Sequence, residues 1–348
     1  MNKIKKKKIL FDIIHLAHLN FFKNAINEFH KRGYDVEITY LDRGKIAKVL
    51  KKELPQYKHT KIGTYSKTTL GKISMILERM FRFFFYLMKS RPHITAGVGD
   101  FILAFSSKLF GIPSVMYYDD FEFKVNFNLS DFFGTRLYVP YCLPKTSKKI
   151  IRYKSFKELA YLHPDIYKPQ KSIITKMSLK ENEYVFIREV AGISMNYTQL
   201  EKESLLGPIK YLHNKGIKMI LSLEDKSRRK FYEPYCTILE EPLEDLYSIV
   251  HYALFTICSG DSMARESALL GVPSIYTGGR TMYVNNPFLE WKGVYKLERQ
   301  EDIINTANKL LNKKIKQTWS KKITKIIKKN LADTTQVILD SLNKNLGV

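Results

Sequence analysis

The sequence is poor in cysteine. Its three cysteines, Cys142, Cys236 and Cys258, are scattered through 348 residues, odd in number and in no metal-ligand spacing. This argues against a disulfide framework or a zinc module. We predict a protein of a reducing compartment, the cytoplasm, and a site that contains no metal.

Long apolar runs are also missing. No stretch approaches the ~20 apolar residues that a membrane-spanning helix needs. The apolar segment 9–14 is followed by His15, His18 and Asn20, which come too early for the core of a signal peptide. We therefore expect a protein that is soluble, or peripheral at the inner face of the cell membrane.

Acidic residues are scarce relative to basic ones. The chain has 34 Asp and Glu against 58 Lys and Arg, a net charge of +24. Such an excess attracts nucleic acid, anionic lipid headgroups or phosphorylated substrates. A non-catalytic basic binding protein for nucleic acid or anionic membrane is thus one hypothesis. Nucleic acid is disfavoured because the chain has no recognised nucleic-acid motif and no strand pattern of interleaved aromatic and basic residues.

What the chain does have is a repeated alternation of strand and helix patterns. The apolar run ILFDII at 9–14 is typical of a central parallel strand buried on both faces. Helical and strand patterns then follow in the order βαβαβ, and the alternation restarts near residue 184, after a proline-containing crossover at 145–171. The length exceeds one ordinary core. We predict an α/β protein with two domains, residues 1–165 and 166–348.

The segment 252–273, YALFTICSGDSMARESALLGVP, organises the second domain. Its apolar start predicts a buried strand, its SGDS sequence a tight turn, and the residues from Met263 a helix. Backbone N–H groups at the start of such a helix form a seat for phosphate. Glu266 lies about one helical turn further on and could reach a sugar hydroxyl.

In the first domain, polar residues follow two predicted strands. His15 and His18 flank the start of the first helix, and Asp100 follows the strand 93–98. All three are candidates for the crevice at the sheet edge, although Asp100 could simply cap a helix. An acidic cluster, Asp119, Asp120 and Glu122, follows the next strand.

Residues 70–90 predict a long helix. Its central part, 80–88, is apolar nearly all round, which favours a buried helix. The alternative is an interfacial helix with its arginines on lipid phosphates.

Three segments carry a family resemblance: ILFDIIHLAHLNFFKN, YLHPDIYKP and SGDSMARESALLGVPSIY. Together they resemble an archaeal and bacterial family of unknown function with a GT-B-like architecture. That family is related to sugar-nucleotide glycosyltransferases and to the non-hydrolysing UDP-N-acetylglucosamine 2-epimerases. The resemblance implies two Rossmann-like domains with parallel sheets that face each other across a cleft, the second domain holding the nucleotide sugar.

The resemblance also implies roles for individual residues. Ser259, Gly260 and Ser262 match a diphosphate-binding turn, Glu266 matches a ribose-binding acid, and Gly99-Asp100 matches a pair whose acid works in the epimerase active site. Arg188 matches a basic residue after the second domain's first strand. To the nucleotide-sugar set we add Met263 beside the turn and Arg280 in the loop 278–280. Two features depart from the pattern: Asp261 replaces a glycine, and the epimerase histidine is absent from the segment 187–190.

From these observations we predict a metal-independent GT-B glycosyltransferase. It would use a nucleotide sugar of the UDP type as substrate, with no cofactor, and a glycan or lipid-linked acceptor, in polysaccharide biosynthesis. His15, His18 or Asp100 would act as the base. The basic surface is compatible with contact to an anionic membrane. The alternative is a sugar-nucleotide 2-epimerase.

Overall fold

The computed structural model describes residues 6–121, 123–190, 205–240 and 243–347. The chain forms two compact units, Met1–His163 together with Ala332–Val348, and Pro164–Leu331. The predicted boundary after residue 165 lies near the observed one. The last segment, in contrast, belongs to the first unit and not to the second as predicted.

The first unit is built on a parallel sheet. Its strand order is β3-β2-β1-β4-β5-β6-β7, so the order reverses between β1 and β4. The strands are β1 (Lys8–Ile13), β2 (Asp35–Asp42), β3 (His59–Thr64), β4 (Ile94–Val98), β5 (Ser114–Tyr117), β6 (Arg136–Pro140) and β7 (Ile150–Tyr153). The loops after β1 and β4 therefore lie at the switch point, where open α/β sheets bind ligands.

Helices cover both faces of this sheet, because right-handed crossovers change face where the strand order reverses. They are α1 (Leu16–Lys31), α2 (Ile46–Glu53), α3 (Thr69–Ser90), α4 (Phe101–Leu109), α5 (Lys124–Phe133), α6 (Leu159–Leu162) and α15 (Thr334–Leu346). Helix α15 packs on α1 and α6. Its Ile338, Leu339 and Leu342 enter the same core as Phe22 and Phe29, which is why the end of the chain belongs to this unit.

Helix α3 corrects the prediction of a helix buried all round. Only Arg79, Phe83 and Leu87 are buried. The opposite side exposes seven large apolar side chains: Leu70, Ile73, Leu77, Phe81, Phe84, Phe85 and Met88. Even so, no helix in the described ranges combines the length and the apolar character needed to span a bilayer.

The second unit repeats the arrangement with six strands in its described residues. Their order is β10-β9-β8-β11-β12-β13, all parallel, with the reversal between β8 and β11. The strands are β8 (Tyr184–Glu189), β9 (Lys218–Leu223), β10 (Thr237–Ile238), β11 (Thr256–Cys258), β12 (Ser274–Tyr276) and β13 (Val294–Lys296). The helices are α7 (Lys171–Lys176), α8 (Leu206–Asn214), α9 (Arg229–Tyr232), α10 (Leu246–Tyr252), α11 (Asp261–Leu269), α12 (Asn286–Glu290), α13 (Gln300–Leu310) and α14 (Lys313–Asn330).

Two local predictions differ from the structure. Tyr252, predicted in a strand, ends helix α10, which begins because Asp245 accepts hydrogen bonds from the backbone of Tyr247 and Ser248. Strand β7 lies inside the predicted crossover, where it pairs with β6. Glu122 of the acidic cluster lies outside the described residues. The same holds for the polar loop that the sequence predicts at 191–197 and for the first residues of the helix that it predicts at 200–214.

The position of α15 predicts which unit each terminal helix stabilises. Leu342→Ala removes a buried side chain from the first core, and such changes cost about 2–5 kcal/mol. We expect faster hydrogen exchange in β1 and α1, with β8 and β11 unchanged. Ile323→Ala in α14 is the matched control and should affect only the second unit. Equal effects of Leu342→Ala on both units would contradict the assignment.

Candidate functional site

The switch point of the second unit brings together the loops after β8 and β11. The backbone N–H of Ser259 donates to the carbonyl of Arg188 at 2.9 Å, and the Ser259 hydroxyl accepts from the N–H of Val190 at 2.9 Å. The backbone and the side chain of Ser259 thus both connect the turn after β11 to the end of β8. These two hydrogen bonds hold the predicted diphosphate-binding turn at the carboxyl edge of the sheet.

Helix α11 begins at this turn with a glycine as its N-cap. Gly260 is extended, with φ −102° and ψ 130°, and has no side chain to cap the helix. The first N–H groups of a helix have no partner within the helix. Their dipoles favour an anion at this position.

Asp261, the departure from the family pattern, is engaged by two arginines. It is buried, and its Oδ2 lies 2.7 Å from Nη1 of Arg265 while its Oδ1 lies 3.2 Å from Nη1 of Arg280. Arg265 is also buried and donates to Asn285 Oδ1 at 2.6 Å. One carboxylate thus faces two guanidinium groups, which offsets its repulsion toward an anion and positions Arg280 beside the start of α11.

Glu266 lies on α11 as predicted, one turn past the start of the helix. Its side chain is largely buried and accepts a hydrogen bond of 2.8 Å from the Tyr247 hydroxyl. The Ser262 hydroxyl lies 3.4 Å from Nη2 of Arg265, and Met263 is partly buried on the same helix. The predicted nucleotide-binding residues of this helix are therefore close together in space.

The segment after β12 passes close to the turn. A Cβ on Gly278 would lie 2.5 Å from the carbonyl oxygen of Ser259, so only glycine fits there. Thr277 is 4% exposed, and its buried hydroxyl has no hydrogen-bond partner among the described residues. Thr277, which was not among the predicted site residues, follows β12 as Ser259 follows β11.

Arg188 is directed toward another strand. Its guanidinium donates to the Ser222 hydroxyl at 2.6 Å and pairs with Glu224, both at or after the end of β9. Arg280 therefore lies at the turn, paired with Asp261, whereas the Arg188 guanidinium binds Ser222 and Glu224 near the end of β9. The role of Arg188 toward a diphosphate stays a prediction.

In the first unit, Asp100 belongs to a buried group of charges. Nη2 of Arg79 lies 2.6 Å from Oδ2 of Asp100 and 2.8 Å from Oδ2 of Asp12. The other Asp100 oxygen accepts from the N–H groups of Ile102 and Leu103 at 3.1 and 3.3 Å. Asp100 thus caps α4, the structural role that the sequence left open, and also joins β4 to α3 and β1.

Burial and charge shift the pKa values in this group. Burial raises the pKa of the Asp100 carboxyl to about 7, with a further rise from the Asp12 charge and an opposing effect of Arg79. Burial works against the charge on Arg79, but the carboxylates of Asp100 and Asp12 outweigh it and raise the Arg79 pKa. Arg79 therefore stays positively charged between the carboxyl groups of Asp12 and Asp100.

The two histidines lie next to each other at the start of α1. Their ring centroids are 6.1 Å apart, and Nδ1 of His15 accepts from the Ala17 N–H at 3.2 Å as a helix cap. The buried Nδ1 of His18 has no hydrogen-bond partner among the described residues. Burial, followed by the nearby His15 and Lys157, lowers the pKa of His18 well below its usual value. His18 is thus a neutral imidazole at neutral pH.

The arginines that connect these groups, Arg79 and Arg265, were not among the predicted site residues. Helical spacing offered one signal, because Asp261 and Arg265 are four residues apart and face each other. Arg79 gave no such signal, since its partner Asp12 is 67 residues away.

The shifted pKa values predict opposite pH effects on stability. The folded protein keeps a proton on Asp100 that the unfolded chain releases above pH 3.8. The unfolding free energy of the wild type, minus that of Asp100→Asn, should therefore fall as the pH rises from about 4 to about 7. For His18→Gln the same difference should rise with pH up to about 6.5, because only the unfolded imidazole takes a proton there.

Denaturant unfolding at several pH values measures both differences. A wild-type advantage over Asp100→Asn that increases with pH would contradict the assigned shift.

Comparison with known proteins identifies relatives of this chain in sequence and in structure. An uncharacterized protein of Methanocaldococcus jannaschii is 20% identical over 278 residues, covering 77% of this chain and 80% of that protein. The UDP-GlcNAc 2-epimerase of Neisseria meningitidis, crystallised with UDP-GlcNAc, superposes with a TM-score of 0.71 at 12% identity over 97% of this chain and 100% of that one. The spinosyn forosaminyltransferase SpnP gives a TM-score of 0.70 at 10% identity over 99% and 100% of the two chains.

These similarities establish a GT-B-like α/β fold with two Rossmann-like parallel sheets, as predicted. The family model described as "Protein of unknown function (DUF354)" matches residues 7–346. Because the match spans nearly the whole sequence, the chain belongs to the DUF354 family.

Proposed function

We propose that this protein is a glycosyltransferase that uses a nucleotide sugar, of the UDP type, and transfers the sugar to a hydroxyl of a glycan or lipid-linked acceptor. The oxygen of the acceptor attacks the anomeric carbon, the bond from that carbon to the diphosphate breaks, and the acceptor proton passes to a base. The nucleoside diphosphate leaves.

One observation carries the proposal: the uncapped start of α11 at the switch point, with Glu266 one turn away. N–H groups there would bind the diphosphate, and the Glu266 carboxylate, oriented by Tyr247, would bind a ribose hydroxyl. The N. meningitidis epimerase, which has the same fold, was crystallised with UDP-GlcNAc. That likeness supports a nucleotide sugar as the ligand of this turn.

The leaving diphosphate gains negative charge during transfer. Arg280, held by Asp261 beside the turn, would stabilise that charge together with the helix dipole. Fixed donors of this kind act without reorganising, which is why they are effective. In this proposal the reaction requires no metal.

Of the three predicted bases, the histidines fit the role of proton acceptor best. His18 is neutral at neutral pH and can accept a proton, and His15 lies beside it at the start of α1. Asp100 is less suited, because both of its carboxyl oxygens already bind other groups of the protein. This engagement favours transfer over the epimerase chemistry in which the matching acid takes part.

A 2-epimerase acting on a nucleotide sugar is the second candidate, favoured by the structural likeness to such enzymes. Purified protein incubated with UDP-sugars and glycan or polyprenyl-phosphate acceptors tests both. Transfer releases UDP only when an acceptor is present. Epimerisation in heavy water places deuterium at C2 of the sugar and needs no acceptor. Absence of both, together with absence of UDP binding by calorimetry, would end the proposal.

The position of Arg280 predicts a loss of nucleotide affinity. Arg280→Met removes a charged hydrogen-bond donor, worth about 1.5–3 kcal/mol, so UDP should bind roughly tenfold to a hundredfold more weakly. Arg299→Met is the control, since Arg299 is exposed and pairs only locally with Asp302. Calorimetry measures both variants. Unchanged UDP affinity in Arg280→Met would remove Arg280 from the site.

The Glu266 carboxylate should contribute to the binding of UDP, which has a ribose, and not to the binding of inorganic diphosphate, which has none. Glu266→Gln replaces the charged acceptor with a neutral amide, so the affinity for UDP should fall about tenfold or more, while inorganic diphosphate binding stays the same. Glu301→Gln in α13 serves as the control. An equal loss for UDP and diphosphate would argue against a ribose contact.

A further inference from the structure

The exposed side of α3 is unusual for the surface of a globular unit. Seven large apolar residues line one side of this helix, with Phe81 and Leu77 66% and 62% exposed. Contiguous apolar patches of this kind on soluble proteins usually mark an interaction surface. The proposed chemistry uses none of these residues.

The patch continues onto the neighbouring helices. Phe81 contacts Phe85, Phe85 contacts Phe84, and Phe84 contacts Phe110 at the end of α4, with ring centroids 4.7, 5.4 and 5.2 Å apart. Leu109 of α4 and Phe132 of α5 are also exposed. We call this surface, from α3 through Leu109 to Phe132, the apolar face.

Cations border the apolar face. The Arg91 guanidinium lies 5.3 Å from the ring of Phe110, and the Lys108 ammonium lies 4.6 Å from the ring of Phe132. Helices α3, α4 and α5 carry only two acidic residues, Glu78 and Asp131. Glu78 is paired with Arg82 at 2.7 Å. The border is therefore strongly basic.

A basic pocket lies at the carboxyl end of α3. It has a volume of about 810 Å³ and is lined by Lys6, Lys58, Lys89 and Arg91, among others. The two acids that line this pocket, Asp35 and Glu37, lie 3.7 and 2.9 Å from Nζ of Lys8, and Glu37 also accepts from the Tyr86 hydroxyl at 2.8 Å. Cations remain available there for an anionic headgroup.

From this combination we infer that the apolar face is a docking surface for an anionic lipid membrane. The aromatic and aliphatic side chains would enter the boundary between headgroups and acyl chains, while the bordering lysines and arginines bind lipid phosphates. A second copy of the chain fits less well, because a two-fold interface would bring two basic borders against each other. The inference goes beyond the proposed glycosyl transfer and does not depend on it.

Flotation of the full-length protein with vesicles tests the inference. Vesicles of phosphatidylcholine with 30% phosphatidylglycerol should bind the protein, pure phosphatidylcholine vesicles much less, and binding should weaken at high salt. Leu77→Ser/Phe81→Ser should reduce binding about tenfold or more. Phe231→Ser, at a residue of the second unit that is 58% exposed, should bind as the wild type does.

The charged border has its own variants. Lys89→Gln should weaken binding to the anionic vesicles about fivefold, while Lys230→Gln, in the second unit, should not. All variants should keep the wild-type affinity for UDP, or the wild-type unfolding midpoint if UDP does not bind, which separates this test from that of the proposed function.

Three results would overturn the inference: no binding of the wild type to anionic vesicles, equal binding by Leu77→Ser/Phe81→Ser, or a wild-type dimer in sedimentation that this double variant dissociates. The last result would assign the apolar face to a second copy of the chain.

Discussion

The reversal of strand order within each parallel sheet governs where chemistry can occur in this protein. Right-handed crossovers send helices to opposite faces on either side of the reversal, so the loops after β1 and β4, and after β8 and β11, diverge at the place where open α/β sheets form a ligand crevice. Polar side chains on these loops come close together because the strands that precede the loops are neighbours in the sheet. The same constraint places His15 and Asp100 on neighbouring loops of one unit, and Val190 and Ser259 on neighbouring loops of the other.

Buried arginines then fix these loops in place. Arg79 joins α3 to β1 through Asp12 and to the start of α4 through Asp100. Arg265 joins the start of α11 to Asn285. Burying a charge is costly unless it is paired, and removing one partner leaves the other uncompensated. These paired charges are therefore well suited to keep the loops of a site rigid. A side chain that is free to move would have to reorganise before it could bind a ligand.

Much of this fold follows from local patterns in the sequence. The run ILFDII predicted β1, and the SGDS turn predicted the start of α11, because strand and helix periodicity are local properties. Three features had no such signal. Arg79 pairs with residues far away in the chain, the Arg188 guanidinium pairs with Glu224 after β9, and α3 exposes the apolar residues that its composition assigned to a core. In each case the outcome depends on which neighbours the tertiary structure supplies, and a local pattern contains no such information.

A crystal structure with UDP bound would show where the nucleotide lies. We expect diphosphate oxygens within about 2.7–3.2 Å of backbone N–H groups at the start of α11, a ribose hydroxyl on the carboxylate of Glu266, and the Arg280 guanidinium on the diphosphate. A nucleotide bound elsewhere in the protein, with none of these contacts, would refute the proposed role of α11.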